Sequence, residues 1–197
     1  MQKGLQLSFF RSRRLSDKEY FFNSYFDELN VRLRDVSADQ LGELSQVFVN
    51  IRDKGGKVII VGNGGSAAIA SHVAVDLTKA ARVRAINFNE ADLITCFGND
   101  YGYENWMAKA LEFYSDAGDV AVIISSSGES QNVVIGAKAA RDLGLQVVTL
   151  SGFRADNSLR AIGHLNLWVN SESYNIVETT HQSWLLAVID RLVETGQ

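Results

Sequence analysis

The sequence predicts an α/β fold: a five-stranded, mostly parallel sheet covered by helices on both faces, in a three-layer αβα arrangement. Two observations support this. From residue 57 onward, short apolar runs without polar alternation are separated by segments of helical periodicity, which is typical of parallel strands buried on both faces. Ahead of residue 57 lie two helical patterns and no strand pattern, so we expect two leading helices.

Both leading helices are predicted from their start signals. Ser16 and Glu19 form a capping box, and Ser37 and Gln40 repeat it. Apolar residues then recur at helical spacing, at Phe21, Tyr25, Leu29 and Leu33 and at Leu41, Leu44, Val47 and Ile51. Two consecutive glycines, Gly55 and Gly56, end the second helix.

The remaining elements alternate between strand and helix. The predicted strands are residues 57–61, 84–88, 119–124, 146–150 and 165–169. The predicted helices are residues 66–80, 90–97, 103–114, 131–143 and 176–194. Because ligands bind beyond the carboxyl ends of the strands in such sheets, the loops at those ends are the first candidates for a site.

Length and composition favour one domain over residues 16–197, after a loose segment 1–15. The chain has 197 residues, is 46% hydrophobic and carries a net charge of -4, so a nucleic-acid partner is not expected. No apolar run approaches membrane-spanning length, and no membrane association is expected. The one cysteine, Cys96, cannot form an internal disulfide, which favours the cytoplasm, and its apolar neighbours predict a core position.

Two loops rich in glycine and serine, residues 62–66 and 125–130, each follow an apolar strand pattern and open a helix. Free N–H groups at a helix start attract anions, so two such loops predict a phosphorylated ligand. The first loop lacks the lysine of a P-loop. It fits a dinucleotide fingerprint through Gly62, Gly64 and Ala67, but the nearest acidic partner, Glu90, comes late. A dinucleotide-binding enzyme therefore stays open as a weaker reading.

These residues carry a family resemblance. The runs 58–66, 97–103 and 125–133, with His72 between the first two, resemble the sugar-isomerase (SIS) domain proteins, and bacterial phosphoheptose isomerases most closely. The resemblance extends from about residue 20 to the end of the chain. It implies a flavodoxin-like fold and the conversion of sedoheptulose 7-phosphate to D-glycero-D-manno-heptose 7-phosphate for surface-polysaccharide synthesis. It also implies a homotetramer and no nucleotide cofactor.

The resemblance also implies a substrate site. The phosphate is expected among the serines of the two loops, and the sugar hydroxyls near asparagine and aspartate side chains. Serine hydroxyls and helix N–H groups can hold a dianion without a lysine. The expected binding residues are Asn63, Gly64, Ser66, Asn99, Asp100, Ser125, Ser126, Ser127 and Ser130.

The catalytic positions depart from the family pattern. The family places a histidine and a glutamate four apart after the glycine loop, and a glutamine and a histidine on the last helix; in some members these four bind zinc. Here His72 and Asp76 occupy the first pair, while Glu178 stands at the glutamine and Leu186 at the histidine. His181, one turn after Glu178, is a candidate replacement.

Asp76, Glu178 and His181 are thus the expected catalytic groups, and His72 with these three the expected Zn²⁺ ligands. The departure at Leu186 leaves a second function open. In that reading the chain is a non-catalytic SIS module that binds a phosphosugar or, like the DnaA initiator-associating protein, serves regulation.

Overall fold

Five parallel strands form the centre of the computed structural model, which describes residues 16–196; the expectation for residues 1–15 lies outside this range. The strand order is β2-β1-β3-β4-β5, the flavodoxin-like order. The strands are β1 Val58–Gly62, β2 Ala85–Asn87, β3 Val120–Ser125, β4 Gln146–Ser151 and β5 Leu165–Trp168. Every neighbouring pair is parallel, so the predicted sheet is confirmed.

Seven helices surround this sheet within the described range. They are α1 Asp17–Leu33, α2 Ala38–Asp53, α3 Gly65–Lys79, α4 Ala91–Tyr101, α5 Trp106–Tyr114, α6 Gln131–Asp142 and α7 Tyr174–Thr195. The two leading helices begin at the predicted capping boxes, in which Ser16 and Ser37 accept hydrogen bonds from the backbone N–H groups of Glu19 and Gln40. The capping signals in the sequence therefore gave correct helix starts.

Two hydrophobic clusters flank the sheet, which explains why its strands are apolar without alternation. On β1, Val58 and Ile60 pack with α2, α3 and α7 on one face. Ile59 and Val61 pack with α5 and α6 on the other. Because successive side chains of a strand point to opposite faces, a strand covered on both sides must be apolar throughout.

The β2 edge is less well covered than the rest of the sheet. All three residues of β2 are only half-buried, and none of the eleven residues of α4 is fully buried. Cys96 on α4 is exposed, so its predicted core position was wrong. Its apolar neighbours cover an edge of the sheet instead of filling the centre.

A lysine and two aspartates join the amino ends of β1 and β3, opposite the candidate site. Asp119, 2% exposed, accepts the backbone N–H groups of Lys57 and Asp116. The Lys57 ammonium lies 2.6 Å from the same carboxylate. This network fixes the register of the two central strands.

Among residues 16–196, no helix combines the length and the hydropathy needed to cross a membrane.

Candidate active site

The glycine loop leaves the carboxyl end of β1 in a backbone shape that requires glycine. Gly64 has a φ of 53° and is the N-cap of α3. A Cβ at Gly62 would lie 2.6 Å from the Ser66 Cβ and 2.9 Å from the Ile124 carbonyl oxygen. No side chain of the described residues caps α3. The Ser66 and Ala67 N–H groups donate to the Asn63 carbonyl oxygen, and only the Gly65 N–H of this first turn has no partner within residues 16–196.

The serine loop follows β3, the neighbour of β1, and is held in shape by its own hydroxyls. Ser125 Oγ accepts the Gly128 N–H at 3.2 Å, and Ser127 Oγ accepts the Glu129 N–H at 3.3 Å. Ser130 is the N-cap of α6, again without a side-chain capping bond within the described range. A second helix start is therefore open at the same edge of the sheet.

The two loops meet because β1 and β3 pair directly, with Gly62 opposite Ile124. They line one cleft together with two residues of α7. The lining residues are Asn63, Ser66, Ser125, Ser126, Ser127, Ser130, Tyr174 and Glu178. The structure thus brings together the predicted serines of both loops with Asn63 and Glu178, while Gly64 caps the helix beside them.

Asn132 joins the two loops and was not singled out from the sequence. Its amide and that of Asn63 exchange two hydrogen bonds, of 3.0 Å and 2.9 Å, and Asn132 is 3% exposed. Paired amides hold each other in a fixed plane. The sequence carries no signal for this pair, because the burial that makes an amide require a partner is visible only in the fold.

Glu178 places a carboxylate directly at the cleft. Its side chain lies so close to Gly65, the first residue of α3, that any Cβ there would collide with the carboxylate. Ser126 Oγ donates a long hydrogen bond of 3.5 Å to Glu178 Oε1. Burial raises the pKa of Glu178 above its ordinary value, and the Ser126 bond opposes this in part. A carboxyl of raised pKa in a cleft is a candidate acid or base.

His181 lies elsewhere, and we correct the expectation that it replaces the missing family histidine at the site. It is fully buried, and Nε2 lies 3.0 Å from the Ser151 carbonyl oxygen, to which it must donate. Nδ1 has no hydrogen-bond partner within residues 16–196. Burial lowers the pKa of His181 to about 4. The ring is a neutral core group with its proton committed to the backbone.

His72 and Asp76 do meet, and the third member of their group is Gln182. His72 Nε2 lies 3.2 Å from Asp76, and His72 Nδ1 lies 2.9 Å from the amide nitrogen of Gln182.

The structure does not bring together the four expected Zn²⁺ ligands, His72, Asp76, Glu178 and His181. Across residues 16–196, no three His, Cys, Asp or Glu side chains stand close enough to hold a metal ion. The donors present therefore do not fit the expected zinc centre.

Asn99 and Asp100 are also apart from the serine cleft. They bond to each other near the end of α4, at 2.9 Å. Asp100 lines a different surface pocket, with Cys96 and Tyr101, on the β2 side of the sheet. Neither Asn99 nor Asp100 lines the serine cleft of this chain.

A parallel sheet with two helix N-termini side by side at its carboxyl edge is typical of α/β proteins that bind phosphorylated ligands. Comparison with known proteins agrees with this class, because residues 22–152 match the sequence profile of the SIS domain. The chain is 33% identical over 179 residues to the phosphoheptose isomerase of Syntrophotalea carbinolica. This alignment covers 86% of this chain and 90% of the relative. This chain belongs to the SIS domain family.

Two further proteins are similar over most of their length. The probable phosphoheptose isomerase of Thermoplasma volcanium is 31% identical over 166 residues, covering 81% of this chain and 84% of that one. The solved structure of the phosphoheptose isomerase of Neisseria gonorrhoeae has a TM-score of 0.82 at 26% identity, covering 90% and 98% of the two chains. The resemblance expected from the sequence is confirmed.

We expect the serine loop to carry the affinity for phosphate. Replacing Ser127 and Ser130 together by alanine removes two hydroxyls, and a hydrogen bond to a charged group contributes about 1.5 to 3 kcal/mol. Affinity for sedoheptulose 7-phosphate should fall at least about tenfold in calorimetric titration. Ser183→Ala is the control, because this hydroxyl on α7 bonds only within its helix to the Thr179 carbonyl. Equal affinities in all three proteins would place the phosphate elsewhere.

His181 should make stability depend on pH. Its pKa in the folded protein, about 4, lies below the unfolded value of 6.5, so the unfolded state binds the proton more readily. As pH falls from 6.5 to 4, protonation of this group in the unfolded state should lower the free energy of unfolding by about 3 kcal/mol. Denaturant titrations at pH 7 and pH 4.5 should show a smaller loss for His181→Gln than for the unchanged protein.

Proposed function

We propose that this protein is an aldose–ketose isomerase that interconverts sedoheptulose 7-phosphate and D-glycero-D-manno-heptose 7-phosphate, a step of heptose and surface-polysaccharide synthesis. The observation that carries the proposal is the Glu178 carboxylate inside a serine-lined cleft to which two helices, neither capped by a side chain of the described residues, present their N-termini. Anion-binding groups hold the phosphate, and a carboxylate of raised pKa stands beside them to move a proton. Family membership, with relatives named phosphoheptose isomerases, supports the same reaction.

The reaction needs one proton to move between neighbouring carbons. A base takes a proton from C1 of the ketose while the C2 carbonyl oxygen gains one, which gives an enediol. Return of a proton to C2 and loss of the proton on the C1 hydroxyl give the aldose. A single carboxylate can serve both carbons, since they are adjacent. We assign this role to Glu178.

The phosphate is assigned to the serines of both loops, with Asn63 beside the sugar hydroxyls. Ser66, Ser125, Ser126, Ser127 and Ser130 supply hydroxyls. The backbone N–H groups without a partner among the described residues, those of Gly65 on α3 and of Gln131 and Asn132 on α6, supply further donors. A phosphate dianion bound there disfavours the ionised form of Glu178 and so raises its pKa further. A base whose pKa moves toward neutral is a better catalyst near neutral pH.

Asp76 and His72 are assigned a supporting role, since they form an exposed group with Gln182 rather than lining the cleft. A zinc requirement, expected from the family, has no complete donor set among residues 16–196, and we route no step through it. Assays both with added zinc and with chelator test the requirement directly. The sugar phosphate is the one partner for which the cleft itself offers groups.

The role of Glu178 is tested by Glu178→Gln. This change keeps the size of the side chain and removes the base, so turnover should fall by about 10² to 10⁴ while affinity for inorganic phosphate is kept. In the unchanged enzyme, kcat/KM should rise with pH through a pKa above the ordinary glutamate value, because only the ionised carboxyl acts as base. Asp76→Asn should cost less than Glu178→Gln. Turnover retained by Glu178→Gln would remove this residue from the chemistry.

The function as a whole is tested by a coupled assay with sedoheptulose 7-phosphate, with and without zinc. Isomerisation in either condition supports the enzyme. Binding of sugar phosphates with no turnover in both conditions would instead favour a regulatory SIS module, the reading that Leu186 keeps open. Leu186, on α7, is partly buried against the core and offers no polar group.

We also propose that the protein forms a homotetramer and acts in the cytoplasm. Self-association is supported by α1, which exposes more than half of each of four aromatic side chains: Tyr20, Phe21, Phe22 and Phe26. None of the residues of α1, all of them described, is fully buried. An aromatic surface of this size is typical of an interface.

Charges on this surface should therefore lower the assembly state. Phe22→Glu with Phe26→Glu alters two aromatics one helical turn apart that are 55% and 60% exposed, so the folded subunit itself should tolerate the change. Light scattering should show a smaller particle. Val193→Glu, at an exposed position of α7, is the control and should leave the mass unchanged. An unchanged mass in the double variant would remove α1 from the interface.

A further inference from the structure

One wall of the serine cleft is aromatic, although every other lining residue is polar. Tyr174, the first residue of α7, lines the cleft and is 59% exposed. Glu178 lies four residues later, so both side chains stand on the same face of α7. The sequence pattern gave Tyr174 no role.

A second aromatic ring holds Tyr174 in place. The rings of Phe153 and Tyr174 meet edge to face, with centroids 4.9 Å apart and planes at 71°. This geometry is favourable for aromatic pairs because the positive edge of one ring meets the negative face of the other. The pair fixes the direction of the Tyr174 side chain even though much of its surface faces solvent.

The backbone at Phe153 is strained, and it is fixed from both sides. Its φ is 53°, a value that residues with a side chain rarely adopt. The Phe153 N–H donates to the Ser171 carbonyl oxygen, and the preceding Gly152 N–H donates to that of Ser126 in the serine loop, each at 2.9 Å. Gly152 thus ties this turn to the serine loop, and Phe153 ties it to the segment before α7.

We propose that Tyr174, positioned by Phe153, packs against the carbon chain of the bound sugar phosphate and is the residue that distinguishes a sugar phosphate from bare phosphate. With the phosphate at the serines, the α7 side of the cleft, lined by the Tyr174 ring and the Glu178 carboxylate, is open to the carbon chain. Polarised C–H groups of a sugar pack well on the negative face of a ring. The same contact holds the reacting carbons beside Glu178. This inference rests on the proposed phosphosugar site.

The test compares two ligands in three variants. Calorimetric affinities for sedoheptulose 7-phosphate and for inorganic phosphate are measured for the unchanged protein, Tyr174→Ala, Tyr174→Phe and the control Tyr114→Ala. Tyr114 is 48% exposed on α5 and is not among the residues of the cleft. Unfolding temperatures check that each variant folds.

For Tyr174→Ala we expect at least a tenfold weaker affinity for the sugar phosphate and less than a twofold change for inorganic phosphate. Tyr174→Phe keeps the ring, so it should retain most of the sugar-phosphate affinity. Tyr114→Ala should change neither affinity. In a turnover assay, KM should rise for Tyr174→Ala more than kcat falls.

Two results would overturn the proposal. Unchanged sugar-phosphate affinity in Tyr174→Ala would show that the ring does not contact the sugar. Equal losses for both ligands would make Tyr174 a support of the phosphate loop. Failure of the proposed isomerase function appears separately, as binding without turnover in the unchanged protein, and leaves the comparison of affinities valid. If the unchanged protein binds phosphate but no sugar phosphate, both proposals fall.

Discussion

The direct pairing of β1 with β3 is the constraint on which the candidate site depends. Each strand is followed by a loop and a helix start, and because the two strands are neighbours, both helix starts arrive at one place. Gly62 makes this approach possible, since any larger residue would press against Ser66 and the Ile124 carbonyl. The buried contact of Lys57 with Asp119 fixes the same two strands at their other ends.

The fold was predictable because its signals are local. Capping boxes gave the starts of α1 and α2, and apolar runs gave all five strands to within one or two residues. The prediction was poorer where neighbours decide the outcome. Cys96 lies in an apolar run, yet it is exposed because α4 covers an edge of the sheet. Nothing in the sequence near Asn63 indicates that Asn132 is its partner, since 69 residues separate them.

The last helix shows how a small rotation changes the chemistry of a residue. An α-helix turns by roughly 100° per residue, so positions three apart differ by about 60° in direction and positions four apart by about 40° the other way. Glu178 faces the cleft. Three residues on, His181 faces the core and binds the Ser151 carbonyl; four residues on, Gln182 faces outward to His72. Spacing alone predicted that Glu178 and His181 share a side, but packing separates them.

The contact between Glu178 and Gly65 has a consequence for how this cleft can change over generations. A side chain at position 65 and the present placement of the position 178 carboxylate exclude each other. The colliding atoms are the end of a flexible side chain, so a residue with a Cβ at position 65 would turn the carboxylate aside without disturbing the backbone. Gly65, 113 residues away in the chain, therefore decides where the acid stands and not whether the helix folds.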